Sequence, residues 1–150
     1  MNWSKDKSLL LSRVCVCLFA LLLLVLDVGC YWIARWFFVE LRGQPWQYAF
    51  LLMVTVYLCS VLGWLLLWKL WGLLSAIRQG EVFSEANVSR LRVVSWCCFG
   101  AAAVSLLSCL YYLPFLIAAV AAAFVGLIVR IVKNVFRQAL DMKSELDLTI

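Results

Sequence analysis

The sequence predicts an all-α membrane protein with four transmembrane helices, arranged as an antiparallel up-down bundle in one domain (residues 1–150). Hydrophobic residues make up 67% of the chain, only 14% is charged, and the mean hydropathy is +1.02. A soluble domain is nearer half apolar and a quarter charged. Because small domains bury the smallest share of their surface, the bilayer must cover the remaining apolar surface. The apolar residues also fall into four runs, each long enough to cross the ~30 Å hydrocarbon core.

Helix-breaking residues set the bounds of the spans. The first run resembles a secretory signal, but it is too long and no small-residue cleavage site follows, so we expect an uncleaved helix. Gly43 and Pro45 separate the first two spans, and Pro114 is predicted to end the third. The expected spans are about 11–36, 48–71, 93–113 and 115–132, with a polar loop over 72–92 and a tail over 133–150.

The polar loop contains GEVFSEANVSRLR, residues 80–92. Gly80 is a natural stop for the second helix. Ser84 is predicted to be the N-cap of the third helix, which begins near Glu85. Phe83 is expected to anchor the turn at the membrane surface. Asn87 is explained least by a turn, so we predict that it contacts the C-terminal tail.

The tail continues the fourth span as an amphipathic segment with an apolar stripe. The stripe consists of Ile131, Val135, Ala139 and Met142. The last residues instead alternate apolar and polar, which suggests a short extended segment. Such a segment can add an edge strand to a partner or fold back against Phe83, and we favour the second arrangement.

The distribution of basic residues predicts the orientation. With both termini cytoplasmic, eleven Lys and Arg residues lie inside, and only Arg35 and Arg42 lie outside. This bias follows the positive-inside rule and predicts that both termini are cytoplasmic. Trp32, Trp36 and Tyr48 belong to an expected outer aromatic belt. The net charge of +5 is explained by these flanking residues, and without a basic patch on a soluble face we expect no direct nucleic-acid binding.

Small residues predict how the helices pack. Ala118, Ala122 and Gly126 recur every four residues on the last helix, and Ala101 and Ser105 do so on the third. Small residues let membrane helices approach closely. We therefore expect the third and fourth helices to form the tightest pair, with the Leu-rich first helix facing lipid. The same faces would also allow two copies of the chain to pair as a homo-oligomer.

The residue types give little support for catalysis. The chain has no histidine, and its seven cysteines form no CxxC pair. A zinc site is therefore not expected, nor is a histidine base for nucleophilic catalysis. No Gly-rich phosphate loop is present. We expect no enzyme activity, metal or cofactor.

Asp27 is the one acidic residue near the middle of a span, where it costs about 2.5–3.5 kcal/mol to insert. It could relay protons or bind a cation, in a small transporter or an accessory transport subunit. Alternatively it is protonated, or hydrogen-bonded to Thr55, Tyr57 or Tyr31. A lone acid with no intramembrane cation at matching depth favours the structural alternative.

The pattern G-x-x-F-S-x-x-N-x-x-R-L-R and the chain end resemble a bacterial membrane family, domain of unknown function 2975. The resemblance covers nearly the whole chain, and Leu146 departs from it where the family usually has Asn. The matching positions are Gly80, Phe83, Ser84, Asn87, Arg90, Leu91, Arg92, Ala139, Lys143, Glu145, Asp147, Leu148, Thr149 and Ile150.

The resemblance implies a small four-helix membrane protein of bacteria, which we expect in the inner membrane. Genes of such proteins commonly lie beside one for a small helix-turn-helix regulator, which the membrane protein is expected to hold or modulate. The candidate contact residues, for a partner or within the fold, are Gly80, Phe83, Ser84, Asn87, Arg90, Arg92, Glu145, Asp147, Leu148, Thr149 and Ile150. The other expected partner is the lipid bilayer.

Overall fold

The computed structural model describes residues 3–149, with the side chain of Trp3 excepted. The helices are α1 (Trp3–Ala34), α2 (Trp46–Arg78), α3 (Glu85–Ser108) and α4 (Phe115–Thr149), and α1 continues directly into a π-helical segment, Arg35–Leu41. All four helices are long and apolar enough to cross a membrane. The predicted all-helical class is confirmed, as are four helices that could each span a membrane.

Each helix packs against its neighbours in sequence. Within residues 3–149, close backbone approach joins α1 to α2, α2 to α3 and α3 to α4, with the last pair the most extensive. Short connections make consecutive helices antiparallel, so the bundle is an up-down row. None of the residues in the most apolar 18-residue stretch of α1 is buried, whereas 39% of the residues in the corresponding stretch of α3 are buried. The tight α3–α4 pair and the weakly covered first helix are as predicted.

Contacts between helix ends define two ends of the bundle. At one end Arg13 Nη2 of α1 donates to Ser75 Oγ of α2 over 3.4 Å, and Glu85 of α3 lies 4.0 Å from Arg137 of α4. We call this the terminal end, because α1 begins and α4 finishes there. The other, the aromatic end, holds the connections 42–45 and 109–114.

Aromatic rings close the aromatic end. Phe38 in the π-helical segment is fully buried beside Ala34 and Ala49, and its ring lies against those of Tyr48, Tyr111 and Tyr112. The Arg42 guanidinium lies 5.0 Å from the Phe37 ring and 4.9 Å from the Tyr112 ring. These contacts tie α1 and α2 to the α3–α4 connection.

The third helix ends at Ser108, five residues before the predicted end at residue 113. Thr55 of α2 explains the difference. Its Oγ1 lies 2.8 Å from both Ser108 Oγ and the Tyr111 hydroxyl. The hydroxyl of Tyr111 also donates to Leu51 O over 3.3 Å. Turning Tyr111 toward α2 satisfies these polar groups, and residues 109–114 leave the helix before Pro114.

Helix extends further into the polar regions than predicted. Only residues 79–84 of the expected loop 72–92 are non-helical, and α4 is helical through Thr149. The extended segment and its fold-back against Phe83 are therefore wrong. The stripe at helical spacing continues through Met142 and Leu146, and a helix satisfies its backbone groups internally. Ile150 lies outside the described residues.

The small-residue face of α4 is offset from the predicted one. Ala118 is exposed, whereas Ala119 and Gly126 are buried against α3. Ser95 Oγ of α3 donates to Gly126 O over 3.1 Å. A Cβ on Gly126 would lie 3.2 Å from Cys98 Cβ and 3.2 Å from the Phe99 ring. The closest approach of the two helices thus depends on the absence of a side chain at 126.

Candidate functional site: the turn between α2 and α3 and the free end of α4

Gly80 ends α2 in a Schellman motif. Its φ is +84°, in the left-handed region that glycine adopts without a Cβ penalty. The Gly80 N–H donates to Ile77 O over 3.1 Å, and the Glu81 N–H donates to Ala76 O over 3.0 Å. These two bonds satisfy carbonyls that the end of a helix would leave without partners. The predicted stop is confirmed.

Ser84 caps α3. Its backbone is extended, and its Oγ accepts from the Asn87 N–H over 3.3 Å. Glu85 follows in the first turn, where a carboxylate interacts favourably with the helix dipole. Both features match the prediction. The six-residue turn therefore has a defined end on each side.

Asn87 connects the two ends of this turn. Its side chain is fully buried, and its Nδ2 donates to Glu81 O over 2.9 Å and to Val82 O over 2.8 Å. Its Oδ1 accepts from Arg90 Nη1 over 2.7 Å. These side-chain hydrogen bonds lie within the turn and α3, and none of them reaches the C-terminal tail, with which a contact of Asn87 is predicted.

Arg90 extends this network to α2. A Cβ on Gly72 would lie 2.9 Å from Arg90 Nε, so the guanidinium group occupies space that any other residue at 72 would fill. Its bond to Asn87 holds it in this position. No local signal in the sequence singles out Gly72, because its partner lies 18 positions away.

Two contacts join the turn to α4. The Phe83 ring meets the Phe136 ring edge-on at a centroid distance of 5.2 Å. Glu85 and Arg137 form the ion pair at 4.0 Å, with both side chains more than half exposed, so this pair contributes little to stability. Phe83 is therefore an apolar anchor, and its partner is α4.

Beyond these contacts α4 is free. Every residue of 141–149 is exposed. The segment carries the motif residues Glu145, Asp147, Leu148 and Thr149. Two residues of the apolar stripe, Met142 and Leu146, are 64% and 65% exposed. The two halves of the family pattern therefore lie in different parts of the fold. Residues 80–90 form the turn and the start of α3, whereas residues 145–149 lie on a helix segment that packs against no other helix in the described chain.

Asp27 is held between α1 and α2. Its Oδ2 accepts from Ser60 Oγ over 2.7 Å and from Trp64 Nε1 over 2.9 Å, and its backbone carbonyl accepts from the Tyr57 hydroxyl over 3.1 Å. Asp27 Oδ1 is buried without a hydrogen-bond partner among residues 3–149.

One carboxylate oxygen of Asp27 is therefore hydrogen-bonded, as the structural alternative predicts. Its donors are Ser60 and Trp64 and not the predicted residues. Thr55 bonds to α3, and Tyr57 reaches only the backbone of Asp27. Ser60 and Trp64, four residues apart at matching depth, were a signal that sequence reasoning missed. Within the described chain, no three His, Cys, Asp or Glu side chains lie close enough to hold a metal ion.

One family model matches almost the whole chain. The family model described as "Protein of unknown function (DUF2975)" matches residues 11–150. The chain belongs to this family. No curated protein and no solved structure matches the chain. In this DUF2975 member, the match includes all of α2, α3 and α4 and the full pattern of the turn.

Proposed function

We propose that the chain is a non-catalytic multi-pass protein of the bacterial inner membrane, whose free α4 end binds a cytoplasmic protein. The family resemblance suggests a small helix-turn-helix regulator as that partner. The observation that carries the proposal is the exposed helix 141–149, in which Met142, Leu146 and Leu148 are 64%, 65% and 83% exposed. Exposed apolar stripes on helices are a common means of protein recognition.

The charges along the bundle support a cytoplasmic position for this helix. Arg35 and Arg42 belong to the aromatic end, whereas ten of the other eleven Lys and Arg residues lie in the half of their helix nearer the terminal end, and Arg130 lies near the middle of α4. Under the positive-inside rule the terminal end faces the cytoplasm. A cytoplasmic regulator would then have direct access to residues 141–149.

The partner proposal is tested by co-purification of the proposed helix-turn-helix regulator with the full chain in mild detergent. The double variant Met142→Gln and Leu146→Gln removes the apolar stripe at its free end. We expect it to lose most of the regulator, because buried apolar anchors dominate interfaces. The control pair Asn134→Gln and Ser144→Gln, exposed and off the stripe, should retain it. Equal recovery from both would reject this surface.

Transport through Asp27 is the second candidate, and the buried, unpartnered Oδ1 is the observation that favours it. A carboxylate oxygen without a donor at mid-span is a plausible contact for a proton or a cationic ligand. Asp27→Asn tests it, because the amide oxygen can still accept from Ser60 and Trp64.

We expect Asp27→Asn to leave both the folded fraction and recovery of the regulator at the wild-type level. It should also restore wild-type transcription to a deletion strain. A variant that folds and binds normally but does not restore transcription would favour a transport role. Ser60→Ala, which removes one donor but keeps the acid, is the matched control and should behave as wild type.

A further inference from the structure

A small polar pocket lies between α3 and α4 near the terminal end. It is lined by Arg92, Ser95, Trp96, Arg130 and Lys133, and its volume is about 190 Å³. Drug-sized ligand sites typically occupy about 300–1,000 Å³. The pocket is therefore the size of a small headgroup rather than of a whole metabolite.

The lining of this pocket is strongly basic. Three of the five lining residues are cations, and none is acidic. The ion pairs of the described chain, Arg35–Glu40 and Arg137–Glu85, involve none of the three. Arg92 and Arg130 are exposed and Lys133 is half-buried, and all three charges would attract an anion placed in the pocket.

The register of α3 and α4 fixes this arrangement. Glu85 lies opposite Arg137, and Ser95 bonds to Gly126 O, which places Arg92 level with Arg130. Lys133 follows Arg130 by three residues and so lies on the same side of α4. The close approach at Gly126 holds the two arginines on facing helices.

The surroundings of the pocket point to a lipid rather than a soluble anion. Trp96 lines the pocket and is 66% exposed, and Leu127, about one turn farther along the apolar part of α4, is 53% exposed. The pocket thus opens where the basic end of the helices meets their exposed apolar surface. That is the level at which phospholipid phosphates lie.

We propose that this pocket binds the phosphate of an anionic phospholipid, with its acyl chains along Trp96 and Leu127. The two guanidinium groups suit phosphate oxygens, which they can contact in pairs. Lys133 adds a third charge. This site is independent of the proposed regulator and of Asp27.

The test titrates full-length protein in neutral detergent with three probes: dioctanoyl phosphatidylglycerol, dioctanoyl phosphatidylcholine and inorganic phosphate. We expect clear preference for phosphatidylglycerol, weakening as salt is added. The triple variant Arg92→Gln, Arg130→Gln and Lys133→Gln should bind it about 100-fold more weakly, at about fivefold per cation. Each single variant should show about a fivefold loss.

The control triple Arg78→Gln, Arg137→Gln and Lys143→Gln removes the same charge from the terminal end outside the pocket. It should bind within about twofold of wild type. Equal losses in the two triples, or equal affinity for the two lipids, would overturn the site. Tight binding of inorganic phosphate that displaces the lipid would overturn the choice of a lipid ligand. Graded single-variant losses would support the site even if the triple variant failed to fold.

Discussion

Asn87→Ala is expected to destabilise the protein by about 3–5 kcal/mol. The change removes three hydrogen bonds of a fully buried side chain and leaves the carbonyls of Glu81 and Val82 and the Arg90 guanidinium without that partner. Each unsatisfied buried group costs about 1–3 kcal/mol. The measurement is the folded fraction in a denaturing-detergent titration.

Two further variants make this prediction specific. Asn134→Ala, the same change at an exposed position on α4, should alter stability by no more than about 0.5 kcal/mol. Asn87→Asp keeps the size and the acceptor for Arg90 but removes both donors, so it should also be strongly destabilising. Wild-type stability of Asn87→Ala would show that the turn does not depend on this network.

Gly126→Ala is expected to destabilise the α3–α4 pair by about 1–3 kcal/mol, the usual cost of overpacking. The new methyl group would lie 3.2 Å from Cys98 Cβ, an atom fixed close to the backbone of α3. Relieving this contact requires α3 and α4 to shift by a few tenths of an ångström, which also strains the bond from Ser95 to Gly126 O. The same denaturing-detergent titration measures the loss.

Gly29→Ala on α1 is the matched control. Its methyl group would meet only Ile33 Cδ1, at an ordinary 3.5 Å. Alanine in place of a helical glycine is worth about 0.5–1 kcal/mol in favour of the helix, so this variant should be neutral or more stable. Opposite signs for the two substitutions would support close packing at Gly126, whereas equal effects would contradict it.

The parts of the fold that depend on local chemistry could be predicted from the sequence. Four apolar runs give four helices, Gly80 ends α2, and Ser84 starts α3, because each signal acts within a few residues. Small residues also identified the α3–α4 pair. The small residues did not identify which face of α4 packs against α3, because both Ala118 and Ala119 fit a stripe of small residues. The packed face depends on how α3 and α4 are aligned, with Ser95 beside Gly126.

Other features depend on distant contacts that sequence spacing does not show. The end of α3 at Ser108 is set by Thr55, and the position of Arg90 by Gly72. The helical end of α4 was predictable in principle, because its apolar stripe continues at helical spacing through Met142 and Leu146. The extended segment was predicted from a few alternating residues at the chain end, and alternation over so short a run does not distinguish a strand from a helix.

These observations assign different roles to the two halves of the family pattern. Residues 80–90 are used within the fold, where Asn87 and Arg90 connect α2, the turn and α3. Residues 145–149 contribute no packing between helices in the described chain. Variants in the first half are therefore expected to reduce folded protein, and variants in the second half to reduce partner binding.

The most direct test of this division is deletion of residues 141–150, with stability and recovery of the proposed helix-turn-helix regulator measured on the same detergent-purified sample. We predict a free energy of unfolding within about 0.5 kcal/mol of wild type, together with loss of the regulator. Reduced stability would show that the free end of α4 is part of the fold. Full recovery of the regulator at wild-type stability would show that the partner binds elsewhere.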